Sequence, residues 1–221
     1  MTKTKKQCVI FDCEGTLVDS ERLCCQVLQQ LLREIGVILS LNEVMKHFDG
    51  GKSADILNQL LMATHVHADV DALEIEYRRR TDALFKNELQ AMPGAKELLQ
   101  RLKEQRIDMC IASNAPREKI AQMLSNTGLA DYFQDHIYSG FDANSWKPDP
   151  DLIHYCAMNM GYRLDDCVYV DDTLQGVTAG VLAGVKTFHL QGPARMHECG
   201  YPEVESLQNL ADLSQFLELP K

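Results

Sequence analysis

Hydrophobic and polar positions along this chain follow two periods, and the change from one to the other divides it into parts. The run Cys8-Val9-Ile10-Phe11 is apolar throughout, the pattern of a strand buried on both faces. Beyond it Leu23, Val27, Leu31 and Ile35 recur every four residues, Leu28 and Leu32 widen the stripe, and Gly36 ends it. That spacing predicts an amphipathic helix. Two more such stretches run from about Ser53 through Ile56, Leu57, Leu60 and Leu61, and from Val70 to Leu89. Residues 18 to about 90 therefore read as a block of helices without a strand.

Pro93-Gly94 opens another helix, carrying Leu98, Leu99 and Leu102, and the pattern then alternates. Strands are predicted over Ile107–Ala112, His136–Ser139, Cys167–Val170 and Val185–Leu190. Helices are predicted over Pro116–Leu124, Asp151–Met160 and Thr173–Ala183, with a terminal helix over Leu207–Leu217. Strand–helix alternation implies an α/β fold: a Rossmann-like parallel sheet with right-handed crossovers and helices on both faces. The first strand stands apart from the others in sequence. The expected domains are therefore an α/β core from residues 1–17 and 90–221 and a helical insertion from 18–89. The pattern leaves the strand order open.

Composition narrows the function classes. The chain has 221 residues, 45% hydrophobic and 24% charged, enough for one substantial core plus a small insertion. A formal charge of −10 argues against nucleic acid, whose phosphates attract basic surfaces. No stretch approaches a membrane span. The basic start, Lys3 to Gln7, is followed by too few apolar residues for a signal-peptide core, so the expected compartment is the cytoplasm. The eight cysteines include no Cys-x-x-Cys pair, and no histidine spacing suits zinc. Cys8, Cys110 and Cys167 fall in apolar runs and are expected to be free thiols.

Candidate chemistry gathers where the predicted strands end, which is where open α/β sheets place their ligands. Asp12 ends the first strand, with Glu14 two residues on and Gly15 at the turn. Such a pair suits attack on phosphorus with proton transfer, although an acid at that place also caps loops. Ser113 and Asn114 follow the second strand at a helix N-terminus, where they either bind phosphate or cap the helix. Lys147, between Trp146 and Pro148, is aimed by stiff neighbours or is an ordinary loop lysine. Asp171 and Asp172 end the fourth strand; a buried acidic pair needs a cation, and with Asp12 they offer Mg²⁺ its preferred oxygens. The opposite reading is a solvated acidic turn.

Taken in order, Asp12/Glu14, Ser113, Lys147 and Asp171/Asp172 resemble motifs I to IV of the haloacid dehalogenase superfamily. Nearly the whole chain is covered, and the helical block is similar to that family's C1 cap. Gly15 to Ser20 and Lys147 to Pro150 resemble the β-phosphoglucomutase-like branch of sugar phosphatases. The resemblance implies a Mg²⁺-dependent phosphatase, with Mn²⁺ a possible substitute, acting as a monomer on a small sugar or sugar-acid phosphate. It makes Asp12 the nucleophile that forms an aspartyl-phosphate and Glu14 the acid/base. Ser113, Asn114 and Lys147 would bind the phosphoryl group. The metal would be held by Asp12, the backbone carbonyl of Glu14, Asp171 and Asp172. Substrate choice would fall to the cap loop His47–Lys52, Gly50 and Lys52 above all, with Arg78, Arg79 and Arg80 as further candidates that also read as a solvated helix face. The chain departs from the family at one place, where Glu14 stands for an aspartate. A phosphomutase and a phospho-metabolite-binding protein remain alternatives; the acids at Glu14, Asp171 and Asp172 argue against a dehalogenase.

Overall fold

The computed structural model describes residues 7–48, 53–191 and 200–217. The chain divides into two compact units, one from Ala91 onward together with the segment through Val18, the other Asp19–Gln90. In chain order, β1 (Cys8–Phe11) is followed by α1 (Ser20–Glu34), α2 (Leu41–Lys46), α3 (Ser53–Thr64) and α4 (Val70–Glu88). Then come α5 (Ala95–Glu104), β2 (Asp108–Ser113), α6 (Arg117–Thr127), α7 (Ala130–Phe133), β3 (Ile137–Ser139) and α8 (Gly140–Ala143). The chain continues through α9 (Asp151–Met160), β4 (Cys167–Asp171), α10 (Leu174–Ala183), β5 (Lys186–Leu190), β6 (Glu205–Leu207) and α11 (Leu213–Phe216).

Among the described residues six strands form one parallel sheet, in the order β3-β2-β1-β4-β5-β6. Alternate side chains of each strand point to opposite faces, and both faces are covered. On one, Cys8, Ile10, Cys110, Ala112, Cys167 and Tyr169 pack with Leu152, Ile153 and Cys156 of α9 and Ala179 and Ala183 of α10. On the other, Phe11 meets Phe133 of α7 edge to face at 6.3 Å. Burying two faces explains why β1 is apolar at every position.

One expectation is corrected. Leu207 ends strand β6 and does not start a helix; the helical part that follows is a 3-10 turn, Leu210–Asp212, and the four-residue α11. Gln191 donates its backbone N–H to the Leu207 carbonyl at 2.8 Å, so the segment adds to the sheet. Leu207, Leu210, Leu213 and Leu217 recur at near-helical spacing because each is buried from a different local conformation.

The helical unit holds itself together by local packing and a charged clasp. Leu23, Val27, Leu28, Leu31 and Leu32 bury the inner face of α1. Arg80 of α4 donates to both carboxylate oxygens of Glu34 on α1, at 2.6 and 2.8 Å, and to Glu76. Arg78 and Arg79 pair with Glu74 and Glu76 along α4. These three arginines are engaged by acids of their own unit, the solvated-face reading of the triplet. Among the described residues, no helix is long and apolar enough to cross a membrane.

Candidate active site

The strand order creates the site. From β1 the chain builds toward β2 and β3 on one side, then returns to lay β4 against the other flank of β1. The carboxyl ends of β1 and β4 thus meet where the sheet changes direction, the place where open α/β sheets bind ligands. Asp12 leaves β1 there, its N–H still bonded to the Val170 carbonyl of β4 at 2.9 Å. Asp171 and Asp172 leave β4 beside it. One carboxylate oxygen from each of Asp12, Asp171 and Asp172 lies within 4.8 Å of the others, and all three residues are buried.

Lys147 enters this acidic cluster from the loop between α8 and α9. Its Nζ donates to Asp12 Oδ1 at 2.5 Å and to Asp171 Oδ2 at 2.8 Å, and its side chain is only 5% exposed. Asn114 fixes the loop that delivers it. The Asn114 Oδ1 accepts from the Lys147 N–H at 2.8 Å, and its Nδ2 donates to the Lys147 carbonyl at 3.2 Å. Asn114 was expected among the phosphate ligands, and the structure places its amide on the Lys147 backbone. Ser113, at the end of β2, is buried, its Oγ accepting from the Ala115 N–H at 3.2 Å.

Several residues that looked like core or turn in the sequence serve this cluster. Tyr169 donates its hydroxyl to Asp171 Oδ2, and Lys147 Nζ lies 6.0 Å from its ring centroid. Thr173 donates to Asp171 Oδ1 from both its N–H, at 2.8 Å, and its Oγ1, at 2.7 Å, and caps α10 through Gly176. Thr16 donates to Asp172 Oδ1 at 2.8 Å, and His189 Nε2 lies 3.2 Å from the Asp172 carbonyl. Two glycines make room for the acids. A Cβ at Gly176 would fall 1.8 Å from Asp171 Oδ2, and one at Gly15 2.3 Å from Asp172 Oδ2. Gly15 also has φ +84°, in the left-handed region. Tyr169 could have been suspected from its place two residues before Asp171, on the same face of β4.

Charge separates the acids. Burial raises the Asp12 carboxyl well above the usual carboxylate range; Lys147 opposes this, while Asp171 and Asp172 push it further up. Asp171 is also buried, but Lys147, Tyr169 and Thr173 together hold it below the ordinary value. Burial would lower the Lys147 ammonium, yet Asp12 and Asp171 outweigh it and raise it. Three acids against one ammonium leave a surplus of negative charge at a buried site. Oxygen donors alone, with that surplus, fit a hard divalent cation. Glu14 stands apart from this group: its carboxylate is paired with Lys119 of α6 at 2.7 Å. Gly50 and Lys52, expected to contact substrate, lie outside the described residues.

Residues 9–190 match the haloacid dehalogenase-like hydrolase family. The chain belongs to that family. It is 32% identical to the 6-phosphogluconate phosphatase of Escherichia coli K12 over 95% of this chain and 93% of that protein. Among solved structures, a haloacid dehalogenase-like protein of unknown function from Agrobacterium tumefaciens superposes with a TM-score of 0.84 at 29% identity, covering 96% of this chain and 98% of that one. A family hydrolase from Deinococcus radiodurans, solved with phosphate and sodium bound, gives 0.83 at 28% identity, covering 98% and 97%. The fold and the enzyme class expected from the motifs are those of this hydrolase family.

Proposed function

We propose that this hydrolase is a Mg²⁺-dependent phosphatase of small sugar or sugar-acid phosphates, with the α/β unit carrying the chemistry and the helical unit as its cap. The observation that carries the reading is the meeting of Asp12, Lys147, Asp171 and Asp172 at the reversal of strand order. The likeness to a 6-phosphogluconate phosphatase supports the substrate class. Free thiols at Cys8, Cys13, Cys110, Cys156 and Cys167 suit a reducing compartment, hence the cytoplasm.

In this reading Asp12 attacks the phosphorus, the Asp12 oxygen–phosphorus bond forms, and the ester oxygen–phosphorus bond breaks. Glu14 gives its proton to the departing oxygen. Water then attacks the same phosphorus, passing a proton to Glu14, and the bond to Asp12 breaks to release inorganic phosphate. Lys147 and Ser113 receive the phosphoryl oxygens in a dry site, where a fixed charge acts more strongly than in water. Asp12, the Glu14 carbonyl, Asp171 and Asp172 would hold Mg²⁺, which supplies positive charge to the phosphoryl oxygens and keeps Asp12 ionised against its burial.

The test is a panel of sugar and sugar-acid monophosphates, 6-phosphogluconate among them, assayed for inorganic phosphate with Mg²⁺ and with excess chelator. Mg²⁺-dependent release from a monophosphate, without any added bisphosphate, is the expected result. Release that persists in chelator would remove the metal from the mechanism. Binding of panel members without turnover would make the chain a phospho-metabolite binder.

A further inference from the structure

The pairing of Glu14 with Lys119 joins residues 105 positions apart, and stability does not account for it. The two side chains are 31% and 37% exposed, and ion pairs so open to water contribute little to folding. Lys119 is also badly placed for its own helix. It is the third residue of α6, and a cation in a first turn opposes the helix dipole. Arg117, two residues earlier, turns away and donates to the carbonyls of Ile137 and Asp135. Lys119 instead reaches back over the end of β1.

Glu14 is the partner whose placement needs help. Its backbone is fixed in a tight loop: Leu17 and Val18 donate to the Cys13 carbonyl at 2.9 and 3.1 Å, and Gly15 donates to Val18 at 2.9 Å. Its side chain is one methylene longer than the family's aspartate, and that extra torsion adds rotamers in which the carboxyl misses the reacting atoms. A misplacement of about 1 Å can cost about 100-fold in rate. The added length also lets the carboxylate reach an ammonium on α6, the helix that begins just after Ser113.

We infer that Lys119 is a positioning residue, holding the Glu14 carboxylate where it exchanges protons with the leaving oxygen and with water. The inference rests on the acid/base reading of Glu14 above. It makes the glutamate and the lysine a working pair, in which the lysine selects one rotamer of the longer acid.

A mutant cycle tests it, using kcat and KM for the best phosphate ester of the panel. Lys119→Met, which keeps the stem and removes the charge, is expected to lower kcat by about 10- to 100-fold with KM changed less than about threefold. Lys119→Arg is expected to restore most of that loss. In the Glu14→Gln and Glu14→Asp backgrounds, Lys119→Met is expected to change kcat by less than about threefold, because the carboxylate it positions is gone or too short. A raised KM at constant kcat would make Lys119 a substrate contact, and an equal loss in all backgrounds would show that it acts independently of Glu14. Either result, or an unchanged Lys119→Met enzyme, overturns the inference alone. If Glu14→Gln is as active as the parent, or the parent shows no turnover, the acid/base reading falls and the inference falls with it. Melting curves check that the half-exposed Lys119 can be replaced without unfolding the chain.

Discussion

Asp12 has two opposed demands on it. In the proposed role of nucleophile it must be ionised, yet burial and two acidic neighbours disfavour its charge. A carboxyl whose folded pKa is raised destabilises the fold when ionised at neutral pH. In metal-free protein, Asp12→Asn is therefore expected to preserve or raise the melting temperature, since Lys147 keeps Asp171 as a partner. The same variant is expected to lose phosphate release by more than about 1,000-fold, roughly 4 kcal/mol of barrier. Glu14→Gln is expected to lose about 100- to 10,000-fold in kcat with its melting temperature unchanged. Assays and melts on the two variants check both statements, and residual activity within tenfold of the parent at either position would contradict the role given to it. Asp12, Lys147, Asp171 and Asp172 were legible in the sequence because each follows an apolar strand or lies in a proline-stiffened loop. Lys119 and Tyr169 were not. Lys119 reads as a solvated helix residue until the fold brings it to Glu14, and Tyr169 sits in an apolar run whose one hint is its place two residues before Asp171. Asn114 was visible as a polar residue at a strand end, but only the fold shows that it grips the Lys147 backbone.

At the scale of elements, α10 approaches the site so closely that a methyl group decides its fit. Alanine is a better helix former than glycine by about 1 kcal/mol, so propensity alone would make Gly176→Ala stabilising. The Cβ would instead meet Asp171 at 1.8 to 2.2 Å. The variant is expected to melt lower and to lose Mg²⁺-dependent activity, measured by thermal shift with and without the ion; a higher melting temperature would show that α10 can retreat freely. The α1–α4 clasp behaves in the opposite way, on the surface. Glu34 and Glu76 are held below the ordinary glutamate value of 4.5, Glu76 to about 2, chiefly by their hydrogen bonds from arginines. Carboxylates with lowered pKa contribute stability that is present above the unfolded value and lost as pH falls through the folded one. Acid titration from about pH 4.5 toward 2 is therefore expected to lower the melting temperature less steeply in Arg80→Met than in the parent. The long helices α1, α3, α4, α5, α6, α9 and α10 were legible from their apolar stripes, while the short α2, α7 and α8 carry no such stripe. β6 was not legible, because three residues are too few to show an alternation, and its leucine fits a helical stripe equally well.

The whole molecule carries a net charge of −10 and concentrates part of it in a buried cluster that one lysine does not balance. An ion that binds only the folded state stabilises it by mass action, about 2.7 kcal/mol at a hundredfold excess over Kd. Mg²⁺ is expected to raise the parent's melting temperature, and this shift is expected to shrink in Asp12→Asn and Asp172→Asn. No shift in the parent at millimolar Mg²⁺ would speak against the metal site. The sequence showed that strands and helices alternate, but not that β1 lies between β2 and β4, since strand order depends on pairings between distant segments. That order also governs how the molecule is made. β1 is the first of the six strands to leave the ribosome, yet its two neighbours begin at Asp108 and Cys167. Until they are synthesised, a wholly apolar strand waits with both edges unpaired, open to pairing with other chains. The helices of Asp19–Gln90, which pack within their own unit, are complete much earlier. Asp12, the proposed nucleophile, is thus translated long before its site can close, which waits until Asp172 has emerged.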